Sequence, residues 1–254
     1  MTTSPDSTAR RRREPPPFRP VTVVRTEHVS DCMVRVVVGG DALEGFSIPA
    51  PAASVRLLLP DDGELVIPVW QGNEFRFDDG RRPVIRTLTP RRFDDRRLEL
   101  ALDVVLHHGG ALSQWSAGAH RGDLAAVSGP GRGYEIDQNG ERFVLIGDET
   151  AIPAICQLLE DLPLVPIVVH VDVRSLDAVV DLHRTVEEHW HPYVAIDDMA
   201  SATIESLDSV EFTAGDRVWA AGEAGAMQRL RKYLFDERGV ERSRATVRGY
   251  WKQR

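Results

Sequence analysis

The sequence predicts two units in tandem, an antiparallel β-barrel followed by a mostly parallel α/β domain. Three observations predict it. Up to about residue 134 the apolar residues come in short β-type runs, parted by turn signals such as Gly39-Gly-Asp41, Pro60-Asp-Asp-Gly63 and Asp78-Asp-Gly80, which is the pattern of a barrel or sandwich. After Tyr134-Glu-Ile-Asp-Gln-Asn-Gly140 apolar runs alternate with helical periodicity, as in a sheet covered on both faces. The 254 residues and 28.3 kDa of the chain suffice for two modest domains. The change of pattern at 135–141 divides the chain into a barrel over 18–137 and an α/β domain over 138–254. Residues 1–17 are polar, basic and proline-rich, cannot bury a core, and are expected to form a disordered tail.

In the barrel half the expected strands are Val21–Val24, Met33–Val38, Ser54–Leu59, Leu65–Val69, Val84–Leu88, Leu98–Val105 and Leu124–Ser128, with a short helix over Gly110–Ala119. In the second half Arg142–Gly147 reads as a buried strand and Ile152–Leu162 as an amphipathic helix. Val165–Val173 and Val218–Ala221 follow as strands, Ala224–Glu237 as a helix and Val240–Val247 as a last strand.

Composition narrows the function. The formal net charge of -8 excludes a general nucleic-acid binder, which needs a basic surface for phosphate, so any anionic ligand must meet a local cluster of arginines. Lys232 and Lys252 are the only lysines. Cys32 and Cys156 stand far apart without a C-x-x-C pair, against a disulfide framework or a thiolate metal site. No apolar run reaches membrane-spanning length, so no membrane insertion is expected. Arg10–Arg13 are followed by Glu14-Pro-Pro-Pro17 rather than an apolar stretch, which argues against an export signal and for a cytoplasmic protein.

Phe143-Val-Leu-Ile-Gly-Asp-Glu-Thr-Ala-Ile-Pro-Ala154 carries the strongest signal. A buried strand ends at Gly147, Asp148 and Thr150 can cap, and Pro153 sits early in the helix that follows. Such a helix start at the carboxyl edge of a parallel sheet offers unpaired amides to phosphate, although no G-x-G-x-x-G is present. Trp219-Ala-Ala-Gly-Glu223 repeats the theme. In the barrel half, Arg86 of Arg86-Thr-Leu-Thr-Pro-Arg91 suits bidentate contact with a pyrophosphate. Asp103-Val-Val-Leu-His107 leads into Ala111-Leu-Ser-Gln-Trp115, a strand, a turn and a helix with Ser113 near its start. His183, His189 and His191 with Glu187 do not fall on one helical face, so they read as a solvated helix and no metal site is expected.

Taken in order, these segments, together with Ala221-Gly-Glu223 and the ending Arg248-Gly-Tyr-Trp-Lys252, resemble the siderophore-interacting protein family, flavin-dependent ferric-siderophore reductases related to the ferredoxin–NADP reductase group. The resemblance runs from about residue 20 to the C-terminus. It implies a FAD-binding barrel followed by a Rossmann-like NAD(P)H-binding domain. Carried over by position, Arg86, Leu88, Thr89, Asp103, Val105, His107 and Ser113 would hold FAD. Asp148, Glu149, Thr150 and Ala151, with Ala221, Gly222 and Glu223, would line the nicotinamide-nucleotide site. Arg132 and Arg248 would meet the anionic ferric siderophore, and Tyr250 or Trp251 would lie near the flavin. NAD(P)H would reduce the flavin, which would pass electrons to chelated Fe(III), so no protein nucleophile or general base is required. A monomer is the default for this architecture.

Leu88 departs from the resemblance, standing where the family usually carries a tyrosine in Arg-x-Tyr-Thr; it offers dispersion without an aromatic face or a hydroxyl. Leu112 replaces a small residue beside Ser113. Two other readings therefore stand beside the reductase: a FAD-dependent enzyme of the same scaffold recruited to natural-product biosynthesis, and a flavin-free siderophore-binding protein.

Overall fold

The computed structural model describes residues 14–107 and 109–253. Residues 1–13 of the expected tail, with Arg10–Arg13, lie outside the described residues. Over 14–17 the chain forms no regular element, yet the Pro16 carbonyl accepts a 2.5 Å bond from Ser128 Oγ, and Phe18 is buried.

The first half contains β1 (Arg19–Ser30), β2 (Met33–Gly39), β3 (Val55–Leu58), the hairpin strands β4 (Val69–Gln71) and β5 (Glu74–Arg76), β6 (Ile85–Leu88), β7 (Pro90–Asp94), β8 (Glu99–Val105), helix α1 (Ala111–Ala117) and β9 (Leu124–Ser128). Seven of these strands form one antiparallel sheet in the order β6-β3-β9-β1-β2-β8-β7. The edge strands β6 and β7 are separated in sequence by one residue, Thr89. Two strands joined through one residue cannot stand more than about 7 Å apart at the junction, so the sheet must curl until its edges meet there. Inward side chains of Val36, Val38, Leu57, Leu100, Leu102 and Val127, among others, fill the curl.

The second half contains β10 (Arg142–Asp148), α2 (Ile152–Asp161), β11 (Ile167–Val173), β12 (Glu187–Pro192), α3 (Ser201–Leu207), β13 (Asp216–Glu223), α4 (Ala224–Lys232) and β14 (Ala245–Trp251). Its five strands are all parallel, in the order β12-β11-β10-β13-β14. Val144, Ile146, Val218 and Ala220 face a cluster with Met227 and Leu230 of α4, while Phe143, Leu145, Val169, Val171 and Trp219 face α2 on the other side.

Several sequence expectations are corrected. Leu65–Val69 is not a strand: pairing begins only at Val69, because Pro68 has no N–H to donate and restricts the residue before it. Leu65 instead packs near Phe18 and Leu58. The last strand is Ala245–Trp251 rather than Val240–Val247, and the helix expected to reach Glu237 widens into a π-turn over Tyr233–Glu237. Strands β5, β7 and β12 and helix α3 were not expected. His189 and His191 stand on β12, not on a solvated helix. The two-residue period of a strand puts Glu187, His189 and His191 on one face, where His189 and His191 stack with His170 of β11 at ring distances of 4.7 and 5.4 Å.

Helix α2 is more than amphipathic. Every residue from Ile152 to Leu159 is buried, and a helix apolar all round must be covered on every side. One side rests on the parallel sheet, the other on the barrel, and the cluster around α2 takes in Met33 and Ala52 from the first half. Gln157 is the polar exception. Its Oε1 accepts the Ala52 N–H at 2.8 Å and its Nε2 donates to the Pro90 carbonyl at 2.7 Å; beside it Arg91 pairs with Glu160 at 2.6 Å. Gln157→Ala leaves both buried backbone groups without partners and is expected to cost about 2–4 kcal/mol of stability, read as a lower urea midpoint; a midpoint equal to wild type would show that the Gln157 bridge contributes nothing.

Candidate functional site

Every strand of a parallel sheet delivers its carboxyl end to the same edge, and here that edge faces the barrel. Two contacts fix the approach. At β14, Tyr250 shares a 3.3 Å hydrogen bond with Thr89 Oγ1, donated by the threonine. At the end of β11, Arg174 Nη2 donates to the Leu106 carbonyl at 3.1 Å. Thr89 is the barrel seam and Leu106 precedes His107, so the two barrel segments singled out in the sequence both touch the edge that carries Asp148 and Glu223.

On the barrel side, Arg86 is exposed on β6 and its Nη1 donates to the Ile85 carbonyl at 2.9 Å; among the described residues no carboxylate pairs with it. Leu88 is half-buried against the barrel core, Val105 packs near the α2 cluster, and Thr89 is buried. Asp103 is held by Arg35, which lies directly across the β2–β8 ladder and donates through Nε and Nη2 at 2.6 and 2.8 Å. Ser113 Oγ takes the His107 N–H and returns a bond to the His107 carbonyl, both at 2.8 Å, so the first turn of α1 is tied to the end of the β8 segment. A Cβ at Gly110 would lie 2.4 Å from His107 Cε1; only glycine lets the ring lie over this turn.

On the sheet side the carboxylates are occupied by the protein. Asp148 is 1 % exposed. Its Oδ1 accepts Thr150 N–H at 2.8 Å and Thr150 Oγ1–H at 2.5 Å, and its Oδ2 accepts Glu223 N–H and Trp251 Nε1–H, both at 2.8 Å. Burial nevertheless pushes its carboxyl up to about 6. Glu149 Oε1 accepts the Arg174 N–H at 2.7 Å, and burial first, then the Glu149 charge, pushes the Tyr193 hydroxyl up. Glu223 caps α4 by accepting the Ala226 N–H at 2.9 Å. Ala151 and Ala221 are fully buried, and a Cβ on Gly147 would meet Ala151 Cβ at 2.4 Å and the Ala221 carbonyl at 2.9 Å. The small residues let the two turns lie side by side, and Thr150 is left partly exposed between them.

Arg248 Nη2 donates to the Gly133 carbonyl at 3.1 Å, one residue from exposed Arg132, so the two arginines nominated for an anionic substrate come together. Of the two C-terminal aromatics, Tyr250 faces the barrel seam and Trp251 turns to Asp148. Sequence reasoning missed Arg174, Arg35 and Gln157. Arg174 had a usable signal, since it directly follows an apolar strand whose end must join the same edge. Arg35 and Gln157 become recognisable only once register and packing are known.

The chain matches two family models, the siderophore-interacting FAD-binding domain over residues 22–134 and the siderophore-interacting protein over residues 140–254. It is 30% identical to the NADPH-dependent ferric-chelate reductase of Escherichia coli, over 92% of each chain. To the ferric vibriobactin reductase ViuB of Vibrio cholerae it is 26% identical, over 91% of this chain and 88% of the relative. Among solved structures, a siderophore utilization protein from T. fusca superposes with a TM-score of 0.82 at 32% identity, over 94% of both chains.

A buried carboxylate at this edge gives a testable pH dependence. Burial is the largest influence on Asp172 and pushes it up to about 7, although Ala200 N–H and Thr203 Oγ1–H both donate to it at 3.0 Å. The folded protein therefore keeps a proton that the unfolded chain releases near pH 4. The stability from this group is present at low pH and is lost as pH rises through 7. Asn has no such titration, so the stability of wild type relative to Asp172→Asn should be greater at pH 5 than at pH 7.5 in urea unfolding. An equal difference at both values would contradict the raised Asp172.

Proposed function

The chain belongs to the siderophore-interacting protein family, and we propose that it is a flavin-dependent oxidoreductase that passes electrons from NAD(P)H through FAD to a ferric siderophore, releasing iron as Fe(II). The observation that carries this reading is the meeting of the barrel seam, Arg86 to Thr89, with the carboxyl edge of the parallel sheet at Thr89–Tyr250 and Leu106–Arg174. A cofactor held at the first can exchange electrons with a nucleotide held at the second.

The residues present fit FAD. Arg86 is an exposed guanidinium without a carboxylate partner among the described residues and suits a diphosphate. Thr89 and the turn that Ser113 ties to His107 supply further polar groups, Leu88 and Val105 supply apolar surface, and Asp103 is oriented by Arg35. When bound, FAD accepts the reducing equivalents of NAD(P)H and delivers them singly to iron, chemistry that no side chain can perform. The part of the protein is positioning and charge. The turns at Asp148–Ala151 and Ala221–Glu223 bring main-chain groups to the nucleotide, while Arg132 and Arg248 attract the anionic ferric chelate. Fe(II) is a poorer partner than Fe(III) for hard oxygen donors, so reduction loosens the chelate. Neither alternative reading gains support: both nucleotide turns are intact, and a flavin-free binding protein would have no use for them.

The barrel over 18–137 and the α/β unit over 138–254 are the proposed domains. The chain contains no described helix long and apolar enough to cross a membrane, and we place its action in the cytoplasm, as a monomer.

The purified protein, supplied with FAD, should show the visible flavin bands, and these should bleach on anaerobic addition of NADH or NADPH and return on addition of a ferric siderophore. Arg86→Ala should weaken FAD binding by roughly tenfold or more, the loss of a charged hydrogen bond, read by flavin fluorescence titration. Protein that takes up no flavin, or whose flavin neither nucleotide bleaches, would overturn the reductase reading.

A further inference from the structure

Asp148 has no acceptor site left for a ligand. A carboxylate offers about four acceptor sites, and all four are taken, by donors from three separate stretches of chain: Thr150 in the turn after β10, Glu223 in the turn after β13, and Trp251 at the end of β14. Two further features are shaped around the same carboxylate. A Cβ at Gly222 would stand 2.8 Å from Asp148 Oδ2, so glycine is needed for that oxygen to reach both of its donors. The β13–β14 register also shifts at this point, with Gly222 opposite Gly249 and Glu223 opposite Trp251. Tyr250 is thus the extra residue of a bulge, a device that re-aims a side chain. Its ring meets Trp219 edge-on at 6.4 Å and its hydroxyl reaches Thr89.

We propose that Asp148 is a positioning residue: its carboxylate staples the two nucleotide-facing turns to the C-terminal strand and, through Trp251, holds Tyr250 against the barrel seam. The consequence for electron transfer rests on the reductase reading; the staple itself does not. Asp148 then acts on the nicotinamide nucleotide through the geometry of the turns and without touching it.

Alanine removes all four acceptances at once, whereas an Asn amide oxygen in the Oδ2 position would keep the Glu223 and Trp251 bonds. Hydrogen exchange of the FAD-loaded protein, read by mass spectrometry, tests the staple without reference to activity. Asp148→Ala should speed exchange together over 148–151, 223–226 and 245–251, while β1 and β2 keep wild-type protection. Faster exchange confined to 148–151 would make Asp148 a local helix cap and overturn the proposal. Trp251→Phe removes one donor and keeps the other three bonds, and it carries the test if the Ala variant does not fold. It should loosen 245–251 specifically, and wild-type protection there would equally overturn the proposal.

Under the reductase reading each variant should also raise, by about tenfold, the NAD(P)H concentration giving half-maximal anaerobic bleaching, with Asp148→Ala/Trp251→Phe no worse than Asp148→Ala alone, since Asp148→Ala already removes the Trp251 contact. Multiplicative effects would mean that the two residues act separately, against the staple. If wild type itself does not bleach, the reductase reading falls and the exchange pattern alone decides the inference.

Discussion

One residue closes the barrel. Strands β6 and β7 are the two edges of a seven-stranded sheet, and Thr89 is all that lies between them. Chain connectivity thus imposes a closure that ladder hydrogen bonds do not make, and it fixes where the closure falls. The segment Arg86–Arg91 crosses the seam, which is why its side chains part ways. Arg86 points to solvent, Leu88 packs on the barrel core, Thr89 meets β14, and Arg91 turns to α2. The second half of the molecule is built onto that seam, with Gln157 on the Pro90 carbonyl and Tyr250 on Thr89.

A site assembled from two sheets needs those sheets held in register, and the hydrophobic effect alone is not directional. The shared cluster around α2 supplies the adhesion. Polar pins supply the angle: Gln157 to Ala52 and Pro90, Arg91 to Glu160, Arg217 to Asp137 at 2.6 Å, and Arg174 to Leu106. The pins surround the dry centre, where Cys156 is buried deeply enough for its thiol to be pushed up to about 11. Such a thiol stays protonated at neutral pH and acts as packing, not as a nucleophile.

Much of this was legible in the sequence, for identifiable reasons. Buried parallel strands are continuous apolar runs, so β10 and β11 were found within two residues of their ends. The turns at Asp148 and Glu223 were legible because strand ends, glycines and caps have local chemistry. Strand β7, Pro-Arg-Arg-Phe-Asp, was missed because a strand at the seam has no alternating face, its side chains being divided between α2, solvent and the barrel. Strand β12 was missed because an edge strand of Glu and His carries no apolar period. The end of β14 was set too early, since its last residues are held by Gly133, Thr89 and Asp148 and not by an apolar face. What no local pattern revealed is that Asp148 and Glu223 spend their carboxylates inside the protein: the donors to Asp148 Oδ2 lie 75 and 103 residues away in the chain.

That internal use of the acids eases an electrostatic difficulty. The chain carries a net charge of -8, and the carboxylates of Asp148, Glu149 and Glu223, beside that of Asp172, stand at the edge where a dinucleotide phosphate is proposed to dock. Bare, they would repel it. Asp148 is instead matched by four donors, Glu149 by the Arg174 main chain and guanidinium, and Glu223 by the Ala226 N–H. Each acid draws main-chain amides into a fixed turn and turns its oxygens to donors inside the protein, and Glu149 alone also has a cationic partner, Arg174. Positive charge is held back for the barrel mouth and the Gly133 corner, where Arg86, Arg132 and Arg248 stand. Guanidinium suits both places, because its planar fork matches a diphosphate as well as a carboxylate-rich or catecholate-rich chelate, and it stays protonated at any working pH. In the proposed function the nucleotide would therefore be met by backbone and the flavin and iron chelate by arginine, a division that follows from where the acids are buried and not from the overall charge of the chain.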